Sequence, residues 1–390
     1  MSDSVTAAPG RMRILLIVEP GIDGVFRHVE SLAHFLLGQQ QEVHLAYSSR
    51  RGSESLGKLV AAIQSRGGEC LDLKVGNAPE PGDGHALWRL RAFAKRLHPD
   101  VIHAHSSKAG VLGRSLKLLG VDAGYFYSPH AYYGLAPRSG YAVHFYNFVE
   151  RVFGRVGTTI NISKDEADFG RRVLRIAPSR VRTIHNPVDA SVFKPVDEKA
   201  KADCRRKLGL PETAVVLGTI GRLSFQKDPQ TLYRALAPAL RQRSDLVLCH
   251  VGQGELEGTL HSLAEELGIA GQIVRPLYLN EPAVFYQAID GLIMTSRYEA
   301  GWPIAVLEAL AAGLPLVVSE APGTSDIAAA GLSHCWTARS GDVGGFTKAI
   351  ESWLGDRARP RACNHRQVAI ERFSPEKAYG AILAEYRRAN

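Results

Sequence analysis

The sequence predicts an α/β chain of two Rossmann-like parallel-sheet domains facing one another across a central cleft. Three observations carry that expectation. Short apolar runs alternate with helix-length amphipathic runs along most of the chain, and such alternation means parallel strands covered on both faces. The rhythm stops once, in the polar, proline-containing segment "IHNPVDASVFKP" at residues 184–195, and then restarts in the same form. The length of 390 residues, 45% hydrophobic and 22% charged, suits two or three globular domains with sizeable cores.

Taken in order, "MRILLIVEPG" at 12–21 predicts a strand ending in a glycine turn, "FRHVESLAHFLLGQQ" a helix and "EVHLAYSS" a second strand. "LWRLRAFAKRLHP", "DVIHAHSS", "KAGVLGRSLKLLG" and "GYFYSPH" continue as helix, strand, helix and strand. Beyond the linker, "AVVLGTIGRL" is a strand, "DPQTLYRALAPALRQ" a helix and "DLVLCHVGQG" a strand into another glycine turn. "LHSLAEELG", "QIVRP", a further helix, "GLIMTS" and "PLVVSEAPG" complete the second unit. The expected divisions are a tail at 1–11, a first domain at 12–187, a second at 188–368, and a terminal segment at 369–390. That segment holds the helix "SPEKAYGAILAEYRR", with Ser374 as N-cap and Pro375 in the first turn, expected to pack back on the first domain.

Composition excludes several classes. There is no run of about 20 uncharged apolar residues, so no membrane span is expected. The first ten residues lack an apolar signal core, which points to a disordered tail and a protein that is not secreted. Cys70, Cys204, Cys249, Cys335 and Cys363 are scattered and show no CxxC spacing, as expected of a reduced, cytoplasmic protein with neither a disulfide framework nor a zinc site. Charge is uneven: residues 1–189 hold 24 Lys and Arg against 17 Asp and Glu, and residues 190–390 hold 23 against 22. The first half therefore suits an anionic partner, such as a phosphate-linked substrate or lipid head groups, although a basic surface kept for solubility accounts for the same excess.

The stretch "SRYEAGWPIAVLEALAAGLP" at 296–315 poses a specific question. It reads as a strand end, a turn, and a helix opened by Pro303 at the first helical position and stopped by Gly313 and Pro315. That helix is apolar nearly all round, yet it carries Glu308. A carboxylate in such a place either meets a basic neighbour or faces a cleft and holds a ligand. In "EPGIDGVFRHV", Gly21 and Gly24 let backbone approach a bound phosphate ahead of a helix N-terminus. The turn is not GxGxxG, so a nicotinamide cofactor is not expected. "GRLSFQKDP" sets Arg222 and Lys227 on one strand-to-helix loop, a pair suited to a diphosphate. His103, His105 and His130 fall at strand ends; His103 reads as structural, and His130 suits a sugar hydroxyl or a phosphate. The histidines lack carboxylates at ligand spacing and the chain has no Asp-x-Asp, so no metal is expected.

With these residues in view, the chain resembles retaining glycosyltransferases of the two-Rossmann-domain architecture called GT-B, in the sucrose-synthase/mannosyltransferase-like group known as family 4. The resemblance runs from Met12 to about Asn390. It rests on the glycine turn with "FRHVESLAHFL", and on "DVIHAHSSKAGVLGR", "SPHAYYG", "HNPVD", "GRLSFQKD", "GQGE" and "YEAGWPIAVLEALAAGLP" in family order. It implies that Arg222 and Lys227 hold the diphosphate of a nucleotide sugar and stabilise it as a leaving group, in place of a metal. It implies that Glu308 accepts the two ribose hydroxyls and that His130 contacts the donor sugar. Gly24 and Gly221 would allow close approach of the diphosphate. Ala300, Gly301, Trp302, Pro303 and Ile304 would lie along the donor sugar and its phosphate, and Pro276 and Leu277 near the base. The family usually has seven residues between its two glutamates, whereas Glu299 and Glu308 enclose eight. Either Glu299 or the Ala300 position then meets the sugar, and an ion pair of Glu299 with Arg297 or another surface cation stands as the plain structural reading.

The implied reaction is metal-independent transfer of a sugar, UDP- or GDP-linked, with retention, the leaving phosphate itself taking the acceptor hydroxyl's proton. The acceptor would be a saccharide or lipid-linked saccharide held by the first domain, with Arg27, His105 and Lys108 as candidates on that side; nucleic acid is not an expected partner. The segment 87–98 places Leu87, Leu90, Phe93, Ala94 and Leu97 on one stripe among Arg89, Arg91, Lys95 and Arg96. It reads as a helix packed on its own sheet, with attachment to the inner face of an anionic membrane as the sharper alternative. The competing functions are a sugar-nucleotide-binding scaffold without turnover and a nucleotide-sugar epimerase.

Overall fold

A computed structural model describes residues 10–137, 139–276, 279, 281–357 and 363–389. Its strands form two sheets, every pair parallel. The first contains β1 (Arg13–Val18), β2 (Glu42–Tyr47), β3 (Cys70–Asp72), β4 (Val101–His105), β5 (Gly124–Ser128), β6 (Thr158–Asn161) and β7 (Val181–Thr183), in the order β3-β2-β1-β4-β5-β6-β7. The second contains β8 (Val215–Ile220), β9 (Leu246–Val251), β10 (Ile273–Val274), β11 (Gly291–Met294), β12 (Leu316–Glu320) and β13 (Cys335–Arg339), in the order β10-β9-β8-β11-β12-β13. Ile14 to Val18 are wholly buried, as a parallel strand covered on both faces requires. Strand order reverses between β1 and β4 and again between β8 and β11. A reversal opens a crevice beyond the carboxyl ends of the strands. The loops after β1, β4, β8 and β11 therefore carry the candidate chemistry.

The helices that follow these strands sit close to their expected places, with instructive shifts. Pro303 is the N-cap, and the helix it introduces runs Ile304–Ala311. The helices Tyr141–Phe153 and Lys164–Arg172 lie in a stretch where the sequence reading placed no element. Helix Asp83–Leu97 buries Ala86, Leu90, Phe93, Ala94 and Leu97 in the core of the first sheet. Its stripe is thus spent on internal packing, and the membrane alternative loses this helix.

The terminal helix Pro375–Ala389 crosses back as expected. Ser374 accepts the Lys377 amide at 3.3 Å, and Tyr379, Ile382, Leu383 and Tyr386 join the core that contains Leu16, Val18, Phe26 and Leu36. Tyr386 lies 2.5 Å from His103 Nδ1, whose other ring nitrogen is 3.0 Å from Ser128 Oγ. His103 is fully buried, and burial pulls its pKa well down, which keeps it neutral. Replacing Tyr386 by phenylalanine strands one ring nitrogen and should cost about 1–3 kcal/mol, read as a lower urea midpoint at unchanged m.

Candidate active site

The loop after β8 carries Gly221, Arg222 and Lys227, and the turn after β11 carries Glu299. Arg222 is exposed, and with Gly221, Lys227, Thr295 and Ser296 it lines one recess at the ends of β8 and β11. Lys227 Nζ lies 2.5 Å from Glu299 Oε1, and Arg297 instead pairs with Asp228 at 3.1 Å. Of the two plain alternatives for Glu299, the pairing with Arg297 is not formed and a pairing with another cation, Lys227, is. Glu299 is buried because the turn folds under it: its amide donates to Pro322 O, and a Cβ on Gly323 would sit 1.7 Å from its carbonyl oxygen. Gly323 has φ +90°, so no other residue fits there.

Two helix N-termini meet across the cleft. A Cβ on Gly24, in the first turn of helix Asp23–Gly38, would lie 3.3 Å from Ile304 Cδ1, in the first turn of helix Ile304–Ala311. Both dipoles present their positive ends there, which suits an anion. One turn deeper, the fold resolves the puzzle of Glu308. Its carboxylate is 2% exposed, accepts Tyr286 Oη at 2.6 Å and forms an ion pair with Arg27 of the opposite domain. Burial raises its pKa, and the Arg27 guanidinium works against that rise. Arg27 itself is exposed. The buried carboxylate is thus capped from the solvent side by an exposed guanidinium.

On the first-domain wall the strand ends gather histidines. His105 Nδ1 is 3.1 Å from His130 Nε2, and the His28 ring centroid is 4.8 Å from that of His130. His28 is held by Asn186 Oδ1 at 3.0 Å, which brings the "HNPVD" segment into the site. Burial pushes His28 down to about 4 and His105 and His130 well below the ordinary range, so all three are neutral at pH 7. Among the described residues, His28 Nε2 and His105 Nε2 are buried without a hydrogen-bond partner, so each keeps an unmet hydrogen-bonding capacity. Ligand atoms of His28, His105 and His130 lie within 4.8 Å of one another, close enough to share a metal ion, a proximity the sequence spacing did not show.

His130 and Ala131 hold left-handed backbone, at φ 53° and 102°, in a strained loop. Glu166 secures it by accepting the Ala131 amide at 2.7 Å and the Ile162 amide at 2.8 Å. The same helix start seams the two domains: Ser163 Oγ donates to Ala300 O at 2.6 Å, and Asp165 accepts the Gly323 amide at 2.9 Å. Burial pushes the Glu166 carboxyl up to about 7. Its contribution to stability is then full below about pH 4.5 and lost as pH rises through about 7, a swing of about 3 kcal/mol. His28 runs the other way, its contribution full above pH 6.5 and lost as pH falls through about 4. The excess stability of the wild type over Glu166→Gln should therefore shrink from pH 4.5 to 7, which denaturant titrations at several pH values would measure.

Of the remaining expected residues, Gly301 packs against Ser163, and a Cβ there would lie 2.7 Å from the serine Cβ. Trp302 is buried against Phe373 at a 4.8 Å ring separation, with its Nε1 unpartnered among the described residues. Pro276 lies two residues beyond the end of β10, and Leu277 lies outside the described residues. Two of the acceptor-side candidates are engaged internally: Lys108 pairs with Asp83 and donates to Ala78 O at 2.7 Å, and His105 is fully buried. The third, Arg27, sits on Glu308. The sequence reading did not single out His28, Asn186, Tyr286 or Glu166. Glu166 had a local signal in the capping pattern "SKDE" at 163–166, and His28 and Asn186 lie within the quoted "FRHVESLAHFL" and "HNPVD".

Residues 22–192 match the family model Glycosyltransferase Family 4, and residues 200–371 match Glycosyl transferases group 1. Over 238 residues the chain is 34% identical to D-inositol 3-phosphate glycosyltransferase 1 of Catenulispora acidiphila, covering 57% of this chain and 55% of that one. Over 250 residues it is 28% identical to the UDP-Gal:alpha-D-GlcNAc-diphosphoundecaprenol alpha-1,3-galactosyltransferase of Escherichia coli, covering 62% and 63%. The matched stretches thus take in less than two thirds of these relatives. Among solved structures, Anabaena HepE in complex with UDP has TM-score 0.77 at 19% identity, covering 96% and 99% of the two chains. Sucrose-phosphate synthase from Thermosynechococcus elongatus has TM-score 0.79 at 18% identity, covering 96% and 98%. Both halves carry models of one glycosyltransferase group and the fold is shared almost end to end, so the chain belongs to the group 1, family 4 glycosyltransferases of GT-B fold.

Proposed function

We propose that this protein transfers a hexosyl group, with retention and without a metal, from a nucleoside diphosphate sugar to a phosphate-bearing saccharide or lipid-linked acceptor. Two neighbouring observations support the reading: Arg222 and Lys227 line one recess at the ends of β8 and β11, and the buried Glu308 meets Arg27 of the opposite domain one turn below the facing helix N-termini at Gly24 and Ile304. In this reading the diphosphate lies against Arg222, Lys227 and the N-terminus at Ile304. The ribose hydroxyls displace Arg27 from Glu308, and His130 donates to a hydroxyl of the donor sugar. The anomeric C–O bond to phosphate breaks as the acceptor oxygen bonds to the same face. The acceptor's proton passes to the departing phosphate oxygen, so no separate protein base is needed. Electrostatic stabilisation of that leaving group is the main catalytic demand. The histidine trio then serves as a set of neutral hydrogen-bonding groups.

UDP is the favoured nucleotide, because the HepE complexes contain UDP or UDP-glucose and the Escherichia coli relative is named for UDP-Gal. Both curated relatives are named for acceptors that carry phosphate, which suits the basic first half of this chain. Five free thiols suit a reducing compartment, and no helix of the described residues is long and apolar enough to cross a membrane; the reading places the protein on the cytoplasmic side, at the membrane surface. A thermal-shift screen of UDP, GDP and their sugars tests the donor, since a tight ligand raises the melting point by mass action. NMR of the first-formed anomer tests retention. Absence of any nucleotide shift, or inversion of the anomer, would overturn the assignment.

A further inference from the structure

Helix Tyr141–Phe153 presents a surface that internal packing does not explain. Tyr141, Phe145, Phe148 and Val152 are 94%, 57%, 62% and 45% exposed. Their spacing of four, three and four residues aligns them along one face. The opposite face is firmly seated: Glu150 is buried, accepts Tyr127 Oη at 2.7 Å and pairs with Arg114 at 2.9 Å, and Tyr146 packs on Tyr133 at 4.5 Å. The exposed stripe therefore belongs to a fixed helix. At its C-terminal end lies a cavity of about 440 Å³ lined by Arg151, Gly154, Arg155, Arg175, Ala177 and Arg180. Arg151 donates to Val173 O and Arg180 to Gly157 O. Among the described residues, no carboxylate within 4 Å neutralises any of the four arginines. An uncompensated cationic hollow continuous with an aromatic stripe matches the two layers of an anionic bilayer, phosphate above acyl chain.

We infer that this helix and the arginine cavity dock the protein on an anionic phospholipid membrane, with the stripe inserted among acyl chains and the cavity receiving lipid phosphates. The surface lies next to the site, because the segment between His130 and Tyr141 is the one that packs Tyr133 on this helix. A lipid-linked acceptor presented at the membrane would thus meet the first-domain wall of the cleft. The inference rests on the proposed lipid-linked acceptor for its purpose, and on this surface alone for its chemistry.

The test is flotation of the full chain with phosphatidylglycerol-containing vesicles, with pure phosphatidylcholine vesicles alongside, in rising salt. Binding to the anionic vesicles alone, weakening as salt rises, is expected. Phe145→Ser combined with Phe148→Ser should lower it at least about tenfold. Arg175→Gln combined with Arg180→Gln should lower it about 25-fold at low salt, at about fivefold per charge. All four side chains lie at the surface, and circular dichroism of each variant confirms that it is folded. The UDP thermal shift, measured on the same samples, is expected to be unchanged; its loss in the wild type would count against the donor assignment and leave the vesicle result standing. No association at low salt, or equal association of all variants, would overturn the inference. So would a dimer that the phenylalanine variant dissolves, or an arginine cavity that binds inorganic phosphate while the protein ignores vesicles.

Discussion

Replacing Lys227 by alanine is expected to lower kcat and kcat/KM together, by about 10²–10³-fold. The figure follows from the cost of removing one preorganised donor to a developing negative charge, about 3–4 kcal/mol. An interaction made mainly in the transition state shows itself by that equal fall in both constants. The structure adds a second consequence. Lys227 pairs with Glu299, and their side chains are 23% and 8% exposed, so the substitution also leaves a buried carboxylate without its cation. A stability loss of about 1–3 kcal/mol is expected, toward the low end because the lysine is partly solvated. The double variant Lys227→Ala, Glu299→Gln separates the two effects. It should regain most of the melting temperature and little of the turnover. Full recovery of activity in the double variant would mean that Lys227 acts only by neutralising Glu299, and the leaving-group role would fall.

The second large effect belongs to Glu308. Its substitution by glutamine should weaken UDP binding by about 30–100-fold, the worth of charge-assisted hydrogen bonds to two ribose hydroxyls. The comparison compound is 2′,3′-dideoxyuridine diphosphate, which lacks both hydroxyls. Wild-type protein should bind it about as weakly as the variant binds UDP, and the variant should scarcely distinguish the two nucleotides, all by titration calorimetry. The fold cost should be small, because glutamine still accepts from Tyr286 and the freed Arg27 is exposed and solvated. An undiminished preference for UDP over its dideoxy analogue in the variant would move the ribose site elsewhere.

Particular residues show how far the chain could be read without coordinates. The cations at 222 and 227 were legible because both fall on one strand-to-helix loop, and a parallel sheet sends such loops to its carboxyl edge. Glu308 was legible as an anomaly, a charge in an apolar helix. Its partners were not. Arg27 and Tyr286 lie 281 and 22 residues away, and only the docking of two domains and two helices brings them to it. His28 is equally silent in sequence, a polar residue in an amphipathic helix, until Asn186 from the interdomain segment orients it beside His105 and His130. The segment 87–98 taught the converse. Its basic and apolar stripe drew notice, yet the sheet consumes the apolar face. The helix Tyr141–Phe153 was passed over although its apolar residues recur at helical spacing, because spacing does not say which face a neighbour covers.

Local pattern by itself determined the two α/β units, most of their parallel strands, the loops that bear the cations and the terminal helix. These depend on hydrophobic period, turn residues and caps, all of which act over a few neighbouring positions. Tertiary structure alone decided which charges face one another, that Glu299 meets Lys227 and Glu308 meets Arg27, and which apolar face stays uncovered. Such pairings arise where distant segments are pressed together, and burial sets their strength by removing the water that would otherwise screen them.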